Sequence, residues 1–236
     1  MPREAAPLHA IVLADGAAPA RAVLDAAWPG WADGVALVVA ADGGVRHAGD
    51  LELRVDRWVG DGDSTGPEEL ATLEAAGVAI TRSAVDKDES DTELALDAAL
   101  DAGADRISIL GALGGARTDH ALANISLLLD GRLANRSAVI YDEHGARLSV
   151  LVGPDHRGLP GRRELVGRAG DIVSLLPMGE SVHRIETEGL RYPLLDEPLL
   201  IGRARGLSNV RLGPVARVSV GSGRLLLVET PARLGA

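Results

Sequence analysis

Short apolar runs that stop at Asp or Gly constrain this chain more than any other feature. Ala10-Ile11-Val12-Leu13 opens a run ended by Asp15, and residues 35–40 form a second ended by Asp42-Gly43-Gly44. Arg57-Trp58-Val59 stops at Gly60, Val78-Ala79-Ile80 follows, and Ile107-Ser108-Ile109-Leu110 stops at Gly111. Strands buried on both faces read as brief unbroken apolar runs, and helical stretches at 20–27 and 67–76 lie between them, the latter with Leu70 and Leu73 on one side. That alternation predicts a parallel α/β sheet.

Two further helices are expected. Ser90-Asp91-Thr92-Glu93 fits a capping box, with Ser90 as N-cap and Glu93 reaching back. Asp91 then falls in the first turn, where exposed amides favour a carboxylate. The second helix is expected over about 119–129, held by Leu122, Ile125 and Leu129, with His120 and Asn124 four apart on one face. Near residues 141–145 the texture changes. Short runs at 148–152, 172–176, 182–186, 215–220 and 225–229 are separated by Gly, Pro and charged turns, and 153–170 reads as a loop rich in Gly and Arg. The expected fold class is therefore α/β: a Rossmann-like parallel-sheet domain over 1–144, then an all-β, sandwich- or barrel-like domain over 145–236.

Composition narrows the function. The net charge of −10 gives no basic surplus for a nucleic-acid backbone. With no cysteine there is no thiolate zinc site and no thiol nucleophile. No stretch is long enough to cross a membrane, and the first apolar run lacks a basic leader, so a cytoplasmic protein is expected. The absence of a Gly-x-x-x-x-Gly-Lys-Ser/Thr motif argues against a P-loop protein.

The acidic residues cluster where strands give way to the next element. Asp42, Asp61 and Asp63 follow strand candidates, and Asp91 and Asp119 open helices whose starts lie at the same edge of such a sheet. In open parallel sheets ligands bind at that rim. Converging carboxylates repel one another unless a cation lies between them, and a divalent metal is the usual solution. Asp is also common in turns and at N-caps, but Gly60-Asp61-Gly62-Asp63-Ser64 carries one acid more than a cap needs and suits one ion or a pair. Gly114-Gly115 offers a close backbone approach to phosphate or is a plain turn, and Arg117 and His120 add donors. Lys87, the only lysine, stands among Asp86, Asp88 and Asp91, where it binds phosphate or neutralises its neighbours. Tyr192, Ser208 and Asn209 offer a ring and short polar contacts in the second domain, or turn chemistry.

Taken in order, these segments resemble the thiamine pyrophosphokinase family. The family pattern is met by Ala41-Asp42-Gly43-Gly44, Gly60-Asp61-Gly62-Asp63-Ser64, Asp86-Lys87 through Ser90-Asp91 to Glu93, and Gly114-Gly115 through Arg117 to Asp119-His120 with Asn124. Ser174-Leu175-Leu176-Pro177, Gly189-Leu190-Arg191-Tyr192-Pro193-Leu194 and Ser208-Asn209 follow. Three departures stand out: Ser90 replaces a usual Thr, Gly62 a bulkier residue, and Ala116 looks inserted before Arg117.

The resemblance implies transfer of pyrophosphate from ATP to the hydroxyl of thiamine, leaving AMP, by a homodimer with its sites at the subunit interface. It implies Mg²⁺ on Asp61, Asp63 and Asp91, with Asp42 and Asp119 completing the catalytic acids and either one taking the proton late. Lys87, Ser90, Gly114, Gly115, Arg117, His120 and Asn124 would meet the nucleotide, and Tyr192, Ser208 and Asn209 thiamine. The alternatives are pyrophosphoryl transfer to another alcohol, such as a hydroxymethyl pterin, and a nucleotide-binding sensor without catalysis.

Overall fold

The computed structural model describes residues 7–154 and 161–232. Their contacts divide the chain into two units. One comprises residues up to Asp25 and Pro29–His144; the other comprises Ala26–Trp28 and residues from Gly145 onward.

In the first unit six strands form one parallel sheet: β1 (His9–Leu13), β2 (Val35–Ala41), β3 (Arg57–Gly60), β4 (Ala79–Arg82), β5 (Arg106–Leu110) and β6 (Ser137–Tyr141). Their order is β6-β5-β1-β2-β3-β4, every pair parallel. The chain steps from β1 out to β4, then returns to the other side of β1 as β5. The strand order therefore reverses between β1 and β5, the crevice where doubly wound sheets take ligands. Every residue of β1 is buried, which is why it reads as an unbroken apolar run. At the edge, β4 is largely exposed. Five helices connect or flank these strands: α1 (Arg21–Ala27), α2 (His47–Asp50), α3 (Pro67–Ala75), α4 (Asp91–Asp101) and α5 (Thr118–Leu127). Helix α4 buries Ala95, Leu96, Ala99 and Leu100 against β1, β2 and β3. Ser90 Oγ accepts the Glu93 amide at 3.2 Å, the expected N-cap. Helix α5 departs from expectation: Leu122 is 62% exposed, and only Asn124 of this helix is buried. Apolar spacing indicates a shared face but not whether anything covers it.

The second unit contains β7 (Arg147–Val152), β8 (Gly161–Val166), β9 (Ile172–Pro177), β10 (Val182–Glu188), β11 (Leu195–Leu199), β12 (Asn209–Val210), β13 (Val215–Ser222) and β14 (Arg224–Thr230). They pair antiparallel as β12-β9-β14-β7 and β11-β10-β13-β8. Leu151, Val173, Leu175, Leu225 and Leu227 of one sheet share a core with Leu165, Ile185, Leu199 and Val218 of the other, as in a sandwich. The expected loop over 153–170 is corrected: Gly161–Val166 is a strand paired with β13, while residues 155–160 lie outside the described part. Its alternating exposure and three charged side chains hid the strand. No helix among the described residues is long and apolar enough to cross a membrane.

One polar side chain is locked inside the parallel sheet. His9 Nδ1–H donates to the carbonyl of Asp33 at 3.0 Å, so Nε2 accepts the Ser108 hydroxyl at 3.0 Å. Burial pushes the imidazole pKa down, and the bond to Asp33 only partly opposes it. The neutral ring is the form that fits, so the stability it contributes is present above its ordinary value of 6.5 and is lost as pH falls below that. His9→Gln should cost about 1–3 kcal/mol at pH 7.5. Denaturant midpoints measured down to pH 5 should show the gap between wild type and variant narrowing; a constant gap would contradict this account.

Candidate active site

The acids gather at the C-terminal ends of the strands. Asp42 follows β2 and opens a 3-10 turn, Asp42–Arg46. Its φ of 41° is unusual for a residue with a side chain. The side chain compensates: its two oxygens accept the backbone amides of Ser64 (3.0 Å) and Thr65 (3.1 Å), and it is only 2% exposed. Asp42 thus ties the end of β2 to the loop after β3. Arg46 ties that loop again, donating to the Ser64 carbonyl and to Glu69 at 3.1 Å. Within the loop Asp61 Oδ1 accepts the Asp63 amide at 3.0 Å, and Asp63 accepts the Ser64 hydroxyl at 3.2 Å.

Asp42, Asp61 and Asp91 each present a carboxylate oxygen within 4.8 Å of the others. Asp63 is exposed and lies outside that trio, though it lines the same cavity. A cation already serves two of the trio: Lys87 Nζ lies 2.6 Å from Asp91 and 3.7 Å from Asp61, and also donates to Ser83 Oγ at 2.7 Å. Burial opposes the charge on Lys87, but hydrogen bonds and attraction from Asp91 and Asp61 outweigh it and raise the pKa. Lys87 neutralises its neighbours in this arrangement, one of the two roles its sequence context allowed.

The cavity has a volume of about 350 Å³. Besides these acids it is lined by Ser90, Thr92, Gly114, Gly115, Arg117, His120 and Asn124. Gly114 and Gly115 have φ near +81° and +80°, a region that favours glycine. Asn124 Nδ2 donates to the carbonyl of Ala112 at 2.8 Å, pinning α5 to the turn after β5. His120 and Asn124 line one cavity, as their spacing requires. Asp119 is not among the lining residues. Arg117 grips it with two bonds, 2.9 and 2.6 Å, and these, ahead of other influences, hold its carboxyl far below the usual range. Such a carboxylate is a poor proton acceptor. Asp15, Gly16 and Ala14 also line the cavity and were missed. The available signal was the stop at the end of the first apolar run, the same signal that exposed Asp42 and Asp61.

In the second unit Asn209 is 6% exposed and spends its amide on backbone. Its Oδ1 accepts the amides of Tyr192 and Val210, both at 2.9 Å, and Nδ2 donates to the Tyr192 carbonyl at 2.6 Å. It therefore holds the Tyr192 and Ser208 segments together. Tyr192 is 55% exposed, and Ser208, with φ of 55°, donates its amide to Ser174 Oγ at 3.0 Å.

Comparison with known proteins places this geometry. Residues 31–140 match the family description "Thiamin pyrophosphokinase, catalytic domain", and residues 162–225 match "Thiamin pyrophosphokinase, vitamin B1 binding domain". Thiamine pyrophosphokinase of Bacillus subtilis (strain 168) is 28% identical over 202 residues, covering 85% of this chain and 90% of the relative. The crystal structure of thiamine pyrophosphokinase from Bacillus subtilis superposes with a TM-score of 0.79 at 25% identity, covering 95% of this chain and 99% of that one. That of Geobacillus thermodenitrificans gives 0.75 at 25% identity, with 96% and 99% covered. Two domain matches in chain order, over a fold alike along nearly its whole length, establish that this chain belongs to the thiamine pyrophosphokinase family.

Proposed function

We propose that this protein transfers the pyrophosphoryl group of ATP to the hydroxyl of thiamine, giving thiamine diphosphate and AMP. The observation that carries this reading is the trio Asp42, Asp61 and Asp91 sharing one cavity with the Gly114-Gly115 turn and Arg117, in a chain of this family. Carboxylate oxygens are hard donors suited to Mg²⁺, and the ammonium of Lys87 between two of them marks a place that attracts positive charge. Asp61 and Asp91 would hold the ion with Asp42 beside them, and Asp63 completes the acidic set at the cavity wall. When bound, Mg²⁺ supplies neutralisation of charge on the phosphate oxygens.

The side chains of the cavity then have distinct tasks. Lys87 would share its carboxylates with such an ion and would then be placed to meet a phosphate. Gly114 and Gly115 let backbone amides come close to the nucleotide. Arg117 carries the second positive charge, and Asp119 orients it. Ser90 fixes the start of α4 and so the position of Asp91, while His120 and Asn124 shape the nucleotide side. The thiamine hydroxyl attacks the β-phosphorus, the bond to the bridging oxygen breaks so that AMP leaves with that oxygen, and the hydroxyl proton passes to solvent. Charge stabilisation and positioning account for most of such a rate, so no strong base is required.

Tyr192 and Ser208 are proposed to meet thiamine, with Asn209 holding both. The cationic ring of thiamine suits a chain of net charge −10, and ATP as co-substrate suits a cytoplasmic setting. The functional unit is proposed to be a homodimer, with nucleotide held by the first unit of one subunit and thiamine by the second unit of its partner.

Incubation of the protein with Mg²⁺, ATP and thiamine should yield thiamine diphosphate and AMP in equal amounts. Formation of ADP would refute pyrophosphoryl transfer. Faster turnover of a hydroxymethyl pterin would reassign the acceptor, and tight ATP binding with no AMP released would indicate a sensor.

Asp61→Asn and Asp91→Asn should each lower turnover about 100-fold or more, the scale seen when a group stabilising transition-state charge is removed. Both variants should remain folded and bind Mn²⁺, used as a paramagnetic probe, more weakly than wild type. Unchanged Mn²⁺ affinity would remove the metal from this site.

Subunit mixing tests the assembly. Asp61→Asn and Tyr192→Ala proteins, each impaired alone, should regain activity together, to at most about half per heterodimer if sites act independently. Proven exchange without recovery would place both halves of each site in one chain.

A further inference from the structure

We propose that Asp15 is a specificity-determining residue that accepts hydrogen bonds from the vicinal hydroxyls of the nucleotide ribose. The inference rests on the ATP reading above and adds a role for an acid outside the carboxylate trio. Asp15 lies just beyond β1, at the β1/β5 reversal where nucleotides bind in sheets of this class. Its loop is pinned on both sides: the Ala14 amide donates to the Leu110 carbonyl at 2.8 Å, and the Gly16 amide to the Gly111 carbonyl at 2.7 Å. Gly111, with φ of 70°, brings its Cα so near the Ala14 carbonyl that a Cβ would overlap it. In the turn after β2 Gly43 has no side chain, and a Cβ there would overlap the Asp15 carboxylate. Glycines thus let this carboxylate lie against the turn that begins at Asp42.

Its bonding sets it apart. Asp42 accepts two amides, Asp61 and Asp91 share Lys87, and Asp63 accepts the Ser64 hydroxyl. Asp15 lines the cavity, is solvent-exposed, and has neither a hydrogen-bond donor nor a salt-bridge cation among the described residues. A carboxylate with both oxygens free accepts donors only, and it repels phosphate. The ligand part that settles there must not be anionic, and to satisfy both oxygens it must carry O–H or N–H groups. The thiazolium ring is charged but has no such group. A ribose diol offers two adjacent O–H donors to two free oxygens.

The test is calorimetric titration of the protein with ATP, 2′-deoxy-ATP and 3′-deoxy-ATP in Mg²⁺ without thiamine, so that no turnover occurs. Wild type should bind at least one deoxynucleotide about 10-fold or more weakly than ATP, the scale of a hydrogen bond to a charged group. Asp15→Ala should bind all three alike, at the weaker level, with an unchanged melting midpoint. Asp15→Asn, which keeps one acceptor, should fall between. A ribose-to-deoxyribose ratio that stays the same in Asp15→Ala overturns the proposal, as does a wild type that does not discriminate. In a separate turnover assay of Asp15→Ala, a raised KM for thiamine with the nucleotide ratio intact would assign the carboxylate to the other substrate and equally overturn it. Those outcomes leave the ATP reading standing; failure of wild type to bind ATP would instead overturn that reading.

Discussion

Like-charge crowding is the constraint on which the first unit depends. Three carboxylates with oxygens inside 4.8 Å repel one another, by about 1 kcal/mol per pair at 4 Å in water and more where solvent is excluded. The fold offsets this locally. Asp42 takes two backbone amides, Asp91 sits at the N-terminal end of α4, and Lys87 stands between Asp61 and Asp91. The loop after β3 takes its shape from this compensation, because the amides that calm Asp42 belong to Ser64 and Thr65. Removing the acids would therefore release the loop as well as the charge.

The parallel sheet makes such crowding attainable. All its strands point the same way, so every strand end that turns toward α4 or α5 delivers its next residues to one rim. Asp42 and Asp61 arrive directly from β2 and β3, and the Gly114-Gly115 turn arrives from β5. The backbone has to close up for these segments to meet, and glycine permits it at Gly43 and Gly111, where any side chain would strike Asp15 or the Ala14 carbonyl.

The second unit solves a different charge problem. Arg211 has no exposed side-chain surface, and its Nη2 donates to Glu229 at 2.6 Å, while Arg147 Nε donates to the other oxygen at 2.7 Å. Arg147 also lies 3.9 Å above the Trp28 ring, which draws Ala26–Trp28 into this unit. Burial pushes the Arg211 guanidinium pKa down, and Glu229 pulls it back. A buried cluster of this kind contributes little net stability against an apolar equivalent, yet losing one partner strands the others. Asn209 acts similarly on a smaller scale, so a residue the family resemblance marks for thiamine is also a brace between two segments.

The sequence by itself determined the parallel sheet, because strands covered on both faces must be apolar throughout, and it determined the candidate acids, because residues that follow such strands have one rim to occupy. It also determined the cap at Ser90. It could not reveal β8, whose charged face imitates a loop, nor the exposure of Leu122, since periodicity reports a face and not its cover. Tertiary structure decided which carboxylates converge. Asp61 and Asp63 look equivalent two residues apart, yet only Asp61 joins Asp42 and Asp91, and Asp119 is taken up by Arg117. Asp15 reads as a plain strand stop until Gly43 is seen beneath its carboxylate. Residue type and spacing decide what a strand end can carry; distances between segments remote in sequence decide which charges must share a place, and those distances exist only once the sheet has brought its strand ends together.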